Sequence, residues 1–233
     1  MANSLSSIAI IPDGNRRFSA KAGLPIEAAY AKGFEKSQEA VAWSAEAGVK
    51  SLTFWALSLE NYSKRSQFEL AGLFSLMKNH AQKARREKAF SENGVRVKFF
   101  GKLELLPKDL LAEISALEES TRDNGNTRLN VALAYSGRDE LLNAAKKVLQ
   151  ENAQTGNLNA EISEEDFSKH LYLQESPDLI IRTGNVQRLS GFLPWQAGYS
   201  EIYFSPKLWP EFQKQDFAAA VEYYNAAERR FGK

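Results

Sequence analysis

Short apolar runs alternate with longer helical patterns along almost the entire chain. Runs at residues 7–12, 49–57, 95–100 and 129–135 are rich in β-branched and aromatic residues, which favour strands. Two shorter strands are predicted at 178–181 and 202–204, and helices at 26–47, 66–93, 107–124, 139–150, 163–170 and 215–230. This alternation predicts an α/β protein with a central, mainly parallel sheet flanked by helices. Ligands of such sheets bind at the carboxyl ends of the strands, so the residues that follow each strand are the candidates for function.

Composition excludes several functional classes. The chain has 233 residues, no cysteine and two histidines, His80 and His170. The lack of cysteine excludes disulfides, cysteine-ligated metal sites and thiol catalysis, and two histidines argue against a multi-histidine metal site. The formal net charge of +1 gives no indication of a nucleic-acid partner. No linker, low-complexity run or repeat divides the sequence, which predicts a single domain over residues 1–233.

The apolar stretches also bear on localisation. The most apolar stretch, residues 51–59, is far shorter than the ~20 residues that a membrane span needs. Residues 1–13 lack the charged start and apolar core of a secretory signal. We therefore expect a cytoplasmic protein.

Asp13 follows the first predicted strand and begins the sequence Asp-Gly-Asn-Arg-Arg-Phe. A carboxylate binds hard cations through oxygen, a glycine lets the backbone approach a ligand, and arginines pair with phosphate oxygens. The segment therefore predicts a site for phosphate and metal. The alternative interpretation is an ordinary Asp-Gly turn followed by solvated arginines.

Two further polar clusters follow later strands. Residues 58–65 leave the second strand, and Ser66 with Glu69 predicts a capping box at the start of the next helix. Residues 182–192 carry two arginines with glycines and hydroxyls between them, a pattern that favours a concavity for a diphosphate. Glu201 lies in an apolar run, where a carboxylate is costly unless it is paired or bound to a metal. A salt bridge to one of the arginines is the alternative.

These motifs resemble, in order and spacing, those of the cis-prenyltransferases, the family of undecaprenyl diphosphate synthase. The Asp-Gly-Asn-x-Arg motif lies at residues 13–17, Ser-x-Glu-Asn at 58–61 and Tyr-x-Gly-Arg at 135–138. The long late signature runs from residue 181 to 212, and the similarity spans residues 7–232. No nucleophile–base pair accompanies these motifs, which suits ionisation or binding of a diphosphate rather than covalent hydrolysis.

The resemblance implies a fold with a hydrophobic tunnel and a Mg²⁺-dependent condensation of isopentenyl diphosphate with an allylic diphosphate, which creates a cis double bond. It makes Asp13 and Asn61 the catalytic residues, and Asp13 and Glu201 the metal ligands. It also implies a homodimer, whose tails reach the partner's site, and at most transient contact with a membrane surface. The residues to which it assigns substrate binding are Gly14, Asn15, Arg16, Arg17, Phe18, Tyr30, Ser58, Glu60, Tyr62, Lys64, Arg65, Arg182, Arg188, Ser190, Arg230 and Gly232.

Four positions depart from the family pattern. Tyr30 replaces a histidine, Ile26 a basic residue and Val186 a glutamate. The basic residue expected after Glu-Asn falls on Lys64, with Arg65 beside it, so the choice between the two as phosphate ligand stays open. Enzymes that join two dimethylallyl diphosphates head to middle, the lavandulyl type, resemble the chain at the tyrosine and at the missing glutamate. Irregular coupling on the same fold is therefore the alternative function. A third hypothesis is a non-catalytic accessory subunit, and the presence of Asp13 in the first motif argues against it.

The helix predicted at 66–93 carries an apolar face made of Phe68, Leu70, Leu73, Phe74, Leu76 and Met77. Ordinary core packing explains most of such a face, but in the family this helix walls the tunnel for the growing chain. The basic end of the helix, residues 83–88, is most simply a solvated face.

Overall fold

The structure, a computed structural model, describes residues 5–88, 90–156 and 161–227. Within these ranges the strands are β1 (Ser7–Ile11), β2 (Ser51–Trp55), β3 (Val95–Phe100), β4 (Thr127–Ala132), β5 (Leu179–Arg182) and β6 (Glu201–Phe204). They join one sheet in the order β3-β4-β2-β1-β5-β6, and every neighbouring pair is parallel. The prediction of a parallel α/β sheet is confirmed.

Helices connect and cover the strands. They are α1 (Asn15–Ala22), α2 (Ile26–Glu46), α3 (Leu59–Lys64), α4 (Gln67–Arg86), α5 (Lys108–Ser120), α6 (Gly137–Gln154), α7 (Glu164–Ser168) and α8 (Lys214–Ala226). None of the helices in the described ranges combines the length and the apolar character that crossing a membrane requires.

Both faces of the sheet are buried, because alternate residues of each strand point to opposite sides. Ile8 and Ile10 of β1 belong to the apolar cluster that α2, α4 and α8 cover. Ala9 and Ile11 belong to a second cluster on the other face, which includes Phe192. Burial on both faces explains why the strand sequences are nearly continuous apolar runs.

The strand order changes direction at β1, since β2 lies on one side of it and β5 on the other. Ile11 is paired with Arg182, and Ile10 with Phe54, so β1, β2 and β5 end at the same edge of the sheet. Open α/β sheets bind ligands at such a switch point. The fold therefore brings the residues after three strands to one place.

Several boundaries differ from the sequence prediction. The sequence does not predict α1 and α3, because both are short and neither buries a residue, so they show no apolar periodicity. α4 ends at Arg86 rather than at 93, and the backbone of Lys88 turns left-handed with φ 50°. β4 ends at Ala132 rather than at 135, because Ala134 has φ 45° and leaves the extended conformation. α8 ends at Ala226, and residues 228–230 of the helix predicted at 215–230 lie outside the described residues.

The apolar face predicted on α4 is confirmed for most of its members. Leu70, Leu73, Phe74 and Met77 follow the spacing i, i+3, i+4, i+7 and are buried. Phe68 is 80% exposed, so its inclusion in this face is wrong. The reason is its position off the helical stripe, two residues before Leu70.

Candidate functional site

A cavity of 590 Å³ opens where β1, β2 and β5 end. Its walls carry six basic and two acidic side chains, so its charge favours an anionic ligand. The sequence-predicted residues that line it are Asp13, Gly14, Asn15, Arg16, Arg17, Tyr30, Ser58, Glu60, Asn61, Lys64, Arg65, Arg182, Arg188 and Ser190. Residues 120 or more positions apart in sequence thus meet in one cavity.

Asp13 holds two arginines in the cavity wall. Arg17 Nη2 donates a hydrogen bond to its Oδ1 at 3.0 Å, and Arg182 Nη2 donates one to its Oδ2 at 3.0 Å. Arg182 Nη1 in turn donates to Ser190 Oγ at 2.9 Å. The Arg182 side chain is only 7% exposed, so it needs this carboxylate. The network joins the segment after β1 to the loop after β5.

The backbone of Asp13 is fixed independently of its carboxylate. Its carbonyl oxygen accepts from Thr183 Oγ1 at 2.7 Å and from the Trp209 backbone N–H at 3.0 Å. Gly14 has φ 121°, and a Cβ there would lie 2.9 Å from the backbone of Leu208. Glycine is therefore required at the residue that turns the chain from β1 into α1.

The start of α1 faces the cavity with Gly14, Asn15, Arg16 and Arg17. Gly14 at the N-cap has no side chain that could cap this helix, so its first N–H groups remain available to an anion. Among the residues that the structure describes, the buried Asn15 Oδ1 has no hydrogen-bond partner, and a Cβ on Gly33 would lie 2.4 Å from it. The helix start thus combines free N–H donors with two arginine side chains.

The segment after β2 contributes a second group of polar residues. Ser58 caps α3 by accepting from the Asn61 backbone N–H at 3.0 Å. Lys64 is exposed, whereas the Arg65 side chain is 12% exposed and lies 5.3 Å over the ring of Tyr30. Both basic residues line the cavity, so the cavity lining does not choose between them.

Glu69 does not form the predicted capping box. Ser66 Oγ accepts from the Glu69 backbone N–H at 3.2 Å, which confirms the cap. The Glu69 carboxylate, however, accepts from the Tyr30 hydroxyl at 2.6 Å and lies 3.3 Å from Arg65 Nε. Burial is the main cause of a raised pKa of Tyr30, and the hydrogen bond to Glu69 is the second cause, so the hydroxyl stays neutral. The capping-box prediction is therefore wrong for the side chain.

Other predicted site residues lie elsewhere. Phe18 does not line the cavity, and the Tyr62 hydroxyl donates to the Leu105 carbonyl at 3.1 Å. Glu201 begins β6 opposite Leu179, about 10 Å along the strand from the edge where the cavity opens. The two predicted metal carboxylates thus do not line one cavity. Arg230 and Gly232 lie outside the described residues.

An apolar cavity of 130 Å³ adjoins the charged one. The two share Phe34, Ser37, Phe54, Ala56 and Met77, and the smaller one extends between α2, α4 and α5 against the sheet. Phe34 stacks on His80 with ring centroids 4.8 Å apart. Burial lowers the pKa of His80, which favours the neutral imidazole in these surroundings. The charged chamber thus adjoins an apolar one.

Sequence analysis missed Phe34 and Ser37, which line both chambers. Tyr30, Gly33, Phe34 and Ser37 repeat at helical spacing on one face of α2, and this periodicity was the available signal. Trp209 supports the same face, since its Nε1 donates to the Gly33 carbonyl at 2.8 Å.

Comparison with known proteins gives matches over nearly the whole chain. The family model described as "Putative undecaprenyl diphosphate synthase" matches residues 11–232. The tritrans,polycis-undecaprenyl-diphosphate synthase (geranylgeranyl-diphosphate specific) of Thermoplasma acidophilum is 41% identical over 97% of this chain and 88% of its own length. The isoprenyl transferase of Aquifex aeolicus is 39% identical over 97% of this chain and 95% of its own. A solved structure of lavandulyl diphosphate synthase from Lavandula x intermedia, in complex with dimethylallyl diphosphate, is 31% identical, covers 97% of each chain and has a TM-score of 0.91.

Proposed function

Because the chain belongs to the undecaprenyl diphosphate synthase family, the cis-prenyltransferases, we propose that its charged chamber holds two diphosphates and its apolar chamber holds the growing hydrocarbon. The reaction is the condensation of isopentenyl diphosphate with an allylic diphosphate to a cis-polyprenyl diphosphate. The observation that carries the assignment of the chambers is their junction, where five residues line both. A prenyl diphosphate has one anionic end and one apolar end, and the joined chambers match both.

The allylic diphosphate belongs at the start of α1. There Arg16 and Arg17 and the uncapped N–H groups of the helix offer donors to phosphate oxygens. During the reaction the bond between C1 and the diphosphate oxygen breaks, and its electron pair leaves with the diphosphate. Positive charge at this end of the cavity stabilises the leaving group as that negative charge develops.

Isopentenyl diphosphate belongs on the other side of Asp13, beside Arg182, Arg188 and Ser190. Arg188 Nε donates to Ser190 Oγ at 3.2 Å, so the loop presents these side chains as one group. The double bond of isopentenyl diphosphate attacks C1 of the allylic partner. A proton then leaves C2 of the isopentenyl unit, and the electron pair of that C–H bond forms the new double bond. We place Asn61, with Ser58, near this proton, because both line the charged cavity where the chain passes from β2 into α3.

We propose that Asp13 binds Mg²⁺ together with the allylic diphosphate. Proteins hold Mg²⁺ through one or two carboxylates plus phosphate oxygens of the substrate, and Asp13 is a 30% exposed carboxylate in an arginine-lined cavity. This donor set fits the ion. When bound, Mg²⁺ neutralises diphosphate charge and so favours departure of the leaving group. The assignment of Glu201 as a second ligand stays a prediction.

A second candidate function is the irregular coupling of two dimethylallyl diphosphates. The observation that favours it is the size of the apolar chamber, 130 Å³, which compares with the roughly 150 Å³ cavity that binds one benzene molecule. Such a space accepts a hydrocarbon group of about isoprene size before side chains move. The similarity to lavandulyl diphosphate synthase supports the same candidate.

Product analysis separates the two functions. Purified protein with Mg²⁺ receives isopentenyl diphosphate plus dimethylallyl, geranyl or farnesyl diphosphate and, separately, dimethylallyl diphosphate alone. We expect a ladder of cis-prenyl diphosphates by mass spectrometry, with cis geometry by NMR. A branched C10 product from dimethylallyl diphosphate alone would establish irregular coupling instead. No product in any mixture, with Asp13→Ala behaving identically, would refute enzymatic activity of this chain.

We further propose that the whole chain is one catalytic domain that works as a homodimer. Leu142 and Leu149 of α6 are 72% and 61% exposed and lie two helical turns apart on one face, and Trp195 is 40% exposed. These apolar side chains suit contact with a second copy. Leu142→Asp with Leu149→Asp should yield monomers in sedimentation, whereas Phe68→Asp, at an exposed position of α4, should not. The location of the protein in the cytoplasm stays a prediction.

A further inference from the structure

Glu69 contacts two residues of the charged chamber without lining the chamber itself. Its carboxylate accepts from the Tyr30 hydroxyl at 2.6 Å and lies 3.3 Å from Arg65 Nε. The Arg65 guanidinium lies 5.3 Å over the Tyr30 ring, a distance at which a cation and an aromatic face attract each other. The three side chains, which we call the Tyr30–Glu69–Arg65 triad, join α2, the link between α3 and α4, and α4.

Helix capping does not explain this carboxylate. Ser66 already caps α4 through the backbone N–H of Glu69, so the side chain is free to turn toward α2. The side chains of Arg65 and Glu69 are 12% and 15% exposed, and burial of both charges is costly unless they compensate each other. The triad therefore removes two charges from water at the wall of the cavity that receives substrate.

The geometry fixes Arg65 but leaves it donors to offer. Its buried Nε lies within ion-pair distance of Glu69 yet makes no hydrogen bond within the described part of the chain. The ring of Tyr30 and the charge of Glu69 thus set the direction of the guanidinium plane. Lys64, by contrast, is exposed. A charged group that is oriented before the ligand arrives loses less conformational entropy on binding.

We propose that Glu69 is a positioning residue that aims Arg65 at the allylic diphosphate, and that the Tyr30 hydroxyl holds the Glu69 carboxylate in place. This inference rests on the proposed function and names Arg65, rather than Lys64, as the oriented phosphate ligand. It makes the tyrosine at position 30 part of substrate recognition through its hydroxyl and its ring, although neither contacts the reacting atoms.

Steady-state kinetics of Glu69→Gln, Arg65→Gln and the double variant test the proposal. A charge-assisted hydrogen bond to phosphate is worth about a tenfold or larger change in binding, so Arg65→Gln should raise KM for the allylic diphosphate at least tenfold. Glu69→Gln should raise it about fivefold with kcat nearly unchanged, and KM for isopentenyl diphosphate should stay within twofold. The double variant should match Arg65→Gln alone, because Glu69 acts only through Arg65.

Glu113→Gln is the matched control. Glu113 is paired with Arg85 at 3.0 Å between α4 and α5, outside both chambers, and its replacement should leave both KM values unchanged. Multiplying effects of Glu69→Gln and Arg65→Gln would overturn the proposal. So would a Glu69→Gln variant that raises both KM values equally and lowers the melting temperature, since that result indicates a purely structural role.

A binding assay keeps the proposal testable if turnover is absent. Calorimetry with inorganic pyrophosphate and Mg²⁺ measures the affinity of the charged chamber for a diphosphate without any reaction taking place. Glu69→Gln should weaken pyrophosphate about fivefold relative to the wild type. Unchanged affinity in this variant would overturn the role of Glu69, whereas inactive wild-type protein that binds pyrophosphate normally would count against the proposed function alone.

Discussion

Asp13 should weaken the binding of a metal-free diphosphate and, as the proposed Mg²⁺ ligand, should strengthen the binding of the magnesium complex. In the structure its two carboxylate oxygens already accept from Arg17 and Arg182, each at 3.0 Å. A diphosphate without metal must compete with this carboxylate for the same donors and is repelled by its charge. Asp13→Asn keeps the shape of the side chain and removes the charge. We therefore expect the variant to bind metal-free pyrophosphate more tightly than the wild type.

Coulomb's law gives the size of this effect. Two unit charges 4 Å apart interact by ~4 kcal/mol at an effective dielectric constant of about 20. The Asp13 side chain is 30% exposed, so solvent and salt reduce the repulsion. About 1–2 kcal/mol remains, which corresponds to roughly tenfold tighter binding of pyrophosphate by Asp13→Asn in EDTA. With Mg²⁺ the order should reverse, and turnover should fall at least ~100-fold in the variant.

Isothermal titration calorimetry with pyrophosphate, in EDTA and in Mg²⁺, measures both halves of this crossover. Asp109→Asn serves as the control, because Asp109 pairs with Lys78 at 2.7 Å outside both chambers. Equal or weaker binding by Asp13→Asn in EDTA would refute the competition for arginines. Equal binding of wild type and variant in Mg²⁺ would refute the assignment of Asp13 as the metal ligand.

Three further predictions concern an aromatic contact, two glycines and a buried carboxylate. Phe34→Ala should lengthen the products seen by mass spectrometry, because it removes the ring stacked on His80 at the junction, whereas Phe68→Ala should not. Gly33→Ala should lower activity, since its Cβ would lie 2.4 Å from Asn15 Oδ1, while Gly72→Ala, whose Cβ meets nothing closer than 3.5 Å, should raise stability by up to ~1 kcal/mol in thermal unfolding. Burial raises the pKa of Glu140 above its ordinary 4.5, so the folded state holds this proton more tightly than the unfolded state does. The free energy of unfolding therefore falls as the pH rises from the unfolded-state pKa through the folded-state pKa. Urea unfolding between about pH 4 and pH 8 should show this decline in the wild type and not in Glu140→Gln.

The sheet was predictable because strands that are buried on both faces have short, continuous apolar sequences. Five of the six predicted strands begin and end within two residues of the observed ones, and the exception, β4, ends three residues early at Ala132. The signal fails where the backbone departs from regular geometry. Ala134 and Lys88 adopt positive φ although neither is glycine, and nothing in the residue types predicts that. The tight turn at Gly14 was foreseeable, because glycine in an Asp-Gly pair indicates it.

The charged chamber was predictable for a different reason. Parallel strands bring their carboxyl ends to one edge, so polar clusters after β1, β2 and β5 had to meet there. The apolar chamber was less visible, because residues such as Phe34 and Phe54 have the same character as core residues. Glu69 escaped notice because a glutamate three residues after a serine cap has a sufficient local explanation. Only the direction of its side chain in three dimensions separates the two roles.

Burial of the arginines explains where the carboxylates of the site must lie. Of the six cations that line the charged chamber, Arg182 and Arg65 are the most buried, at 7% and 12% exposed, and each has a carboxylate partner, Asp13 and Glu69. The exposed cations of the chamber are solvated by water, so pairing is not required of them. The carboxylates thus offset the cost of burying these arginines before any ligand binds. A bound diphosphate would then pair with the same arginines in part. The same rule accounts for Asp13, which a binding-site motif marks, and for Glu69, which the sequence marks only as part of a helix cap.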